Sequence, residues 1–127
     1  MKQPKAVLAV GDDSFSARLA EAVLKKSGVE AEIMTARHDR QALAIVQAAC
    51  RRASCPELVL LDIHMPEMDG FEFLVELQEQ ADLDCAAMKT IMVSSSLCSL
   101  ELARACGFPV IGCIEKPITP DKITGFL

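Results

Sequence analysis

Apolar and polar positions change along this chain in blocks. Short runs dominated by apolar residues fall at 6–10, 31–35, 58–62, 90–94 and 110–114, most of them bounded by Gly, Pro, Asp or Ser. Runs of this length, rich in Val, Ile and Leu, predict strands, and the unbroken ones predict burial on both faces. Between them apolar residues recur at helical spacing. The first predicted helix, 15–27, sets Phe15, Leu19 and Val23 on one face and stops at Gly28. The second, 39–52, buries Ala42, Leu43, Val46 and Ala49. A third begins at Asp69 and Gly70, where Asp69 caps with Glu72, and it buries Leu74, Leu77 and Ala81. A short fourth covers 99–106 and ends at Gly107, and a fifth has Thr119 as N-cap and Pro120 at its first position, with Ile123, Phe126 and Leu127 left to pack.

Strands alternating with helices imply a parallel sheet with right-handed crossovers and helices on both faces. The expected fold is α/β and doubly wound, a single five-stranded sheet in the flavodoxin-like order 2-1-3-4-5. At 127 residues the chain fits one domain, 1–127, which then carries the whole function.

Composition narrows the function classes. The longest apolar runs fall far short of the roughly 20 residues needed to span a bilayer, so no membrane association is expected. The start, MKQPKAVLAV, has too short an apolar segment for a secretory signal, and the expected location is the cytoplasm. A net charge of −5, with basic residues scattered except at Lys25-Lys26 and Arg51-Arg52, gives no footprint for direct nucleic-acid binding. The cysteines at 50, 55, 85, 98, 106 and 113 show no metal spacing, and read as buried free thiols in preference to disulfides.

The densest chemistry is in the run LVLLDIHMPEMDGFEFL at 58–74, which places Asp62 at the carboxyl end of an apolar strand. Ligands of open α/β sheets gather at that edge. Asp12 and Asp13 follow the first strand, the neighbour of the third in the expected order. Carboxylates so placed repel each other, and a hard cation such as Mg²⁺ relieves the repulsion while keeping waters that a phosphate can replace. Ser94 ends the fourth strand and Lys116-Pro117 follows the fifth, so a hydroxyl and an ammonium reach the same edge. The set suits phosphoryl transfer. Asp62 serves as nucleophile, the metal and Lys116 neutralise equatorial oxygens, and Ser94 donates to a phosphoryl oxygen. The His64 side chain reads as an exposed loop residue, since no second His or Cys stands at ligand spacing.

These residues resemble the receiver domain of two-component response regulators, the CheY-like family, over essentially the whole chain. The resemblance rests on VGDDS at 10–14, LLDIHMPEMDGFEFL at 60–74, IMVSSS at 91–96 and IEKP at 114–117. It implies that Asp62 is the phosphoacceptor, served by a histidine kinase or a histidine phosphotransfer protein. Asp13, Asp62 and the backbone carbonyl of His64 would bind Mg²⁺, with Asp12 acting through a metal-bound water. Ser94 would be the switch hydroxyl, Lys116 the phosphate partner, and a downstream effector protein or domain the reader. Such a protein is no enzyme beyond its own phosphotransfer and dephosphorylation, and homodimerisation is open.

Departures from the family pattern bear on the readout. Cys113 stands three positions before Lys116, where many relatives carry an aromatic residue that turns inward on activation. The last helix has only about eight residues, below the ~11 of an average helix. Gly11 stands where relatives usually have a bulky apolar residue. Cys113 motivates an alternative, a pseudo-receiver that docks with partners regardless of phosphorylation. A phosphatase of the haloacid dehalogenase type is disfavoured, because it wants a second acid two residues after the nucleophile and that residue is His64. GDDSFS after the first strand, with no glycine-rich loop, disfavours dinucleotide binding.

Overall fold

The structure, a computed structural model, describes residues 6–11, 14–28, 32–52, 55–63, 70–79, 88–94, 110–115 and 118–124. Its strands are β1 (Ala6–Val10), β2 (Glu32–Ala36), β3 (Leu58–Asp62), β4 (Lys89–Ser94) and β5 (Val110–Glu115). They pair in parallel in the order β2-β1-β3-β4-β5, the order the strand–helix alternation predicts. Every residue of β1 and β3 is buried, as their unbroken apolar runs require of central strands covered on both faces. The helices are α1 (Ser14–Lys26), α2 (Asp39–Arg51), α3 (Gly70–Glu79) and, last in the described chain, α4 (Pro120–Thr124). The helix expected at 99–106 lies outside the described residues, as do Asp69, Ala81, Phe126 and Leu127.

Alternate strand residues feed two apolar layers. Val7, Leu58, Leu60, Ile91, Val93 and Ile114 pack with Ala20, Val23 and Leu24 of α1 and Ile123 of α4. Leu8, Val10, Val59, Leu61 and Met92 pack on the other side with Ala42 and Val46 of α2 and Phe71, Phe73, Leu74 and Leu77 of α3. Phe71 and Phe73 are the largest fully buried side chains, and neither belongs to the stripe of Leu74, Leu77 and Ala81 expected from helical spacing. The stripe on α3 is wider than a four-residue repeat suggests, since the short helix faces the sheet and α2 together. Ile111, 41% exposed, is the residue skipped where the β4–β5 register slips between Thr90 and Ile91. A bulge of this kind leaves the extra residue out of the ladder.

The helix ends follow local chemistry. Gly28, after α1, adopts φ 83°, a left-handed conformation that favours glycine, and donates to the Lys25 carbonyl at 3.1 Å. At α2 the N-cap is His38, whose Nδ1 accepts the Gln41 N–H at 3.2 Å, while Gln41 Oε1 accepts the Arg37 N–H at 2.8 Å. Histidine holds the capping place usually taken by Ser or Thr, and Gln41 reaches one residue past it to the N–H before the cap. Thr119 caps α4 as expected, accepting the Lys122 N–H at 3.4 Å.

The cysteines depart from expectation. Cys50, in the last turn of α2, and Cys55, just before β3, form a disulfide, their Cα atoms 4.2 Å apart. Cys113 keeps its thiol and packs half-buried against the α2–α3 layer. Cys85, Cys98 and Cys106 lie outside the described residues.

The start of α3 presses on the end of β3. Gly70 donates its N–H to the Ile63 carbonyl at 2.8 Å, and a Cβ at Gly70 would lie 2.7 Å from the Asp62 carbonyl oxygen and 3.0 Å from Met92 Cε. Only a residue without a side chain permits that approach.

Two substitutions test this packing by urea denaturation. Phe73→Ala removes a fully buried ring and is expected to cost about 3–5 kcal/mol. Gly70→Ala forces backbone apart and is expected to cost about 1–3 kcal/mol, although alanine is the better helix former. An unchanged midpoint in Gly70→Ala would mean that α3 does not approach β3 so closely.

Candidate functional site

Asp62 closes β3, and the local sequence dictates why it is there. Leu58, Leu60 and Asp62 alternate toward the α1 side, so the strand buries its leucines and presents its carboxylate only where the sheet runs out. The residue stays 7% exposed, a buried charge at the edge of an apolar layer.

Neighbouring strands frame it. Val10 pairs with Leu61, so Gly11 comes next to Asp62, and a Cβ on Gly11 would lie 3.5 Å from both Cβ and Oδ2 of Asp62. The position of Gly11 is held from β2 by its N–H bond to the Ala36 carbonyl at 2.9 Å. The departure at Gly11 therefore falls directly beside the carboxylate, where glycine adds no side chain. On the other side Asp62 pairs with Val93, and the Ile63 N–H bonds the Val93 carbonyl at 2.9 Å. Ser94 is then one position further along β4, roughly 6 Å from Asp62 between Cα atoms by strand geometry. It is fully buried, at 0% exposure. Ser94 in turn pairs with Glu115, the last residue of β5 and the one directly before Lys116.

The structure thus brings Asp62 and Ser94 to one sheet edge. Asp12, Asp13, His64 and Lys116 lie outside the described residues, although Gly11 and Glu115, which adjoin Asp12 and Lys116 in the chain, both sit at this edge. Among the described residues no group of three or more His, Cys, Asp or Glu side chains could hold a metal ion. Asp62 contributes an oxygen donor of the type a hard cation takes.

One contact was not legible beforehand. Lys122 on α4 extends its Nζ back to the Glu115 carbonyl at 2.9 Å, tying the short last helix to the end of β5 just before Lys116. Nothing in the spacing of a five-residue helix announces such a bond. Cys113, on β5, packs inward with a small side chain where the family pattern has a ring.

Comparison with known proteins agrees with this geometry. The family model described as the response regulator receiver domain matches residues 7–127. Response regulator Rcp1 of Synechocystis sp. is 35% identical over 82 residues, covering 63% of this chain and 56% of that protein. A probable transcriptional regulator, ycf27, of Porphyra purpurea is 33% identical over 122 residues, covering 95% of this chain and 45% of that one. The chain spans about half the length of these two curated relatives. Among solved structures, the Mn(2+)-bound form of response regulator Rcp1 superposes with a TM-score of 0.74 at 26% identity, over 97% of this chain and 88% of that one. A two-component response regulator from Cytophaga hutchinsonii reaches a TM-score of 0.87 at 21% identity, over 98% and 94%, a likeness of fold. By its match along nearly the whole length and its strand order, the chain belongs to the response regulator receiver domain family, the CheY-like module of two-component signalling.

Proposed function

We propose that residues 1–127 form one receiver domain that works by phosphorylation, with Asp62 as the acceptor of a phosphoryl group from a histidine kinase or a histidine phosphotransfer protein. The observation that carries this reading is the placement of Asp62 at the end of a strand buried on both faces, next to the fully buried Ser94. A carboxylate there is presented at the sheet edge and held by the main chain on both sides.

Each residue then has a role. Asp62 attacks phosphorus through a carboxylate oxygen, and the phosphorylated histidine of the donor leaves with its electron pair. Asp13, Asp62 and the His64 carbonyl would hold Mg²⁺, with Asp12 acting through a water. Mg²⁺ supplies positive charge against the phosphoryl oxygens. The donor set fits a hard cation, because the one member described is a carboxylate and the others are carboxylate or carbonyl oxygens. Ser94 donates its hydroxyl to a phosphoryl oxygen and Lys116 pairs with another, and these bonds exist only when phosphate is present. They bias a two-state equilibrium, and the bias reaches a downstream effector as a change in affinity.

The inward packing of Cys113 limits how that change is displayed. With no ring to turn, the displacement starts at Ser94 and the segment that follows it. The domain carries its own acceptor and turns over no separate substrate, so its chemistry is its own phosphotransfer and dephosphorylation. We place it in the cytoplasm, where donors charged from ATP are found. No helix among the described residues is long and apolar enough to cross a membrane.

Asp62→Asn tests the assignment. With radiolabelled acetyl phosphate and Mg²⁺ the wild-type protein should take up label, up to one per chain, EDTA added beforehand should prevent that uptake, and the folded Asn variant should take up none. Labelling that persisted in Asp62→Asn would move the acceptor elsewhere.

A further inference from the structure

The Cys50–Cys55 bond lies at the end of the sheet opposite Asp62 and has no part in the function proposed above. Cys50 occupies the last turn of α2, half-buried against the α2–α3 layer. Cys55, also half-buried, comes just before Pro56 and the start of β3. The chain beyond it is firmly held: Pro56 is fully buried, the Glu57 N–H bonds the Ala6 carbonyl at 2.9 Å, and the Glu57 carbonyl accepts the Lys89 N–H at 2.9 Å. The disulfide therefore fastens the end of α2 to a point fixed to β1 and β4.

Two features separate this bond from a permanent crosslink. Both cysteine residues are only half-buried, outside the fully enclosed core. The cysteines are also only five positions apart, and a loop that short gives a disulfide the smallest entropic advantage. Cys50 belongs to the last turn of α2 and Cys55 lies beyond the helix, so we take Cys55 as the attacking sulfur and Cys50 as the resolving one.

We propose that Cys50 and Cys55 form a reversible thiol–disulfide exchange site for a small disulfide of the glutathione class, joining α2 to the foot of β3 when oxidised and releasing it when reduced. In oxidation the Cys55 thiolate attacks one sulfur of the glutathione disulfide and expels one glutathione thiolate, leaving a mixed disulfide. The Cys50 thiolate then attacks the Cys55 sulfur and expels the second. Two protein thiols are oxidised by two electrons, one glutathione disulfide is reduced to two thiols, and the two cysteine protons end on the departing thiolates.

The sequence supplies the assay. Trypsin cleaves after Arg51 and Arg52, so the peptide ending at Arg51 and the peptide beginning at Ala53 remain together only through a disulfide. The full chain is equilibrated in glutathione buffers from reduced to oxidised, quenched with acid, digested without reductant and examined by mass spectrometry. The linked fraction should rise with oxidised glutathione and fall again when reduced glutathione is restored, and the thermal midpoint should rise by several degrees with it. Cys50→Ser should instead hold one glutathione on Cys55, with no linked peptide. The proposal is overturned by a linked fraction that stays at zero in oxidised buffer, or by one that does not fall in reduced buffer. It is equally overturned by linkage that survives Cys55→Ser, which would assign the bond to Cys85.

Discussion

A carboxylate at the end of a strand buried along its whole length has nowhere to retreat, and the arrangement of this molecule depends on that constraint. β3 is the middle strand of five and every residue of it is buried, so its position and direction are set by the two apolar layers that enclose it. Apolar burial at about 25 cal/mol per Å² makes displacement of such a strand costly. The direction of β3 then fixes where Asp62 emerges, and the parallel ladders on either side fix what stands beside it: Gly11 after β1 and Ser94 at the end of β4.

The surrounding elements serve that edge through close contacts of the main chain. Gly70 allows the first turn of α3 to rest on the Asp62 and Ile63 backbone. Lys122 draws α4 onto the Glu115 carbonyl, one residue before Lys116. At the opposite end of the sheet Glu57 is bonded to both flanking strands and the disulfide ties in α2. The two ends of β3 are thus held by partly different means. Both ends have main-chain hydrogen bonds; the carboxyl end adds a tight glycine contact beside a carboxylate, and the amino end adds a covalent bond to α2.

Much of the fold could be read from the chain because its strands are apolar runs with sharp polar ends. The expected bounds of the first and third strands coincide with β1 and β3, and the others differ by a single residue at one or both ends. Asp62 was legible for the same reason, being the first charge after Leu58 to Leu61, and Thr119 announced its helix with the proline that follows. What escaped notice was set by packing in three dimensions. Phe71 and Phe73 lie two apart on a helix, a spacing that a stripe argument assigns to different faces, yet both are buried because α3 touches sheet and helix at once. His38 caps α2 through a ring nitrogen, which a search for Ser, Thr, Asp or Asn overlooks. The pairing of Cys50 with Cys55 depends on their separation of 4.2 Å between Cα atoms, which their spacing in the chain does not announce.

The function of this domain turns on which carboxylate receives phosphate. Sodium borohydride reduces an aspartyl phosphate to homoserine, and sequencing of the treated peptides by mass spectrometry then names the residue. Wild-type protein phosphorylated with acetyl phosphate and Mg²⁺ should yield homoserine at position 62 alone. Homoserine at position 12 or 13 with Asp62 unmodified would contradict it.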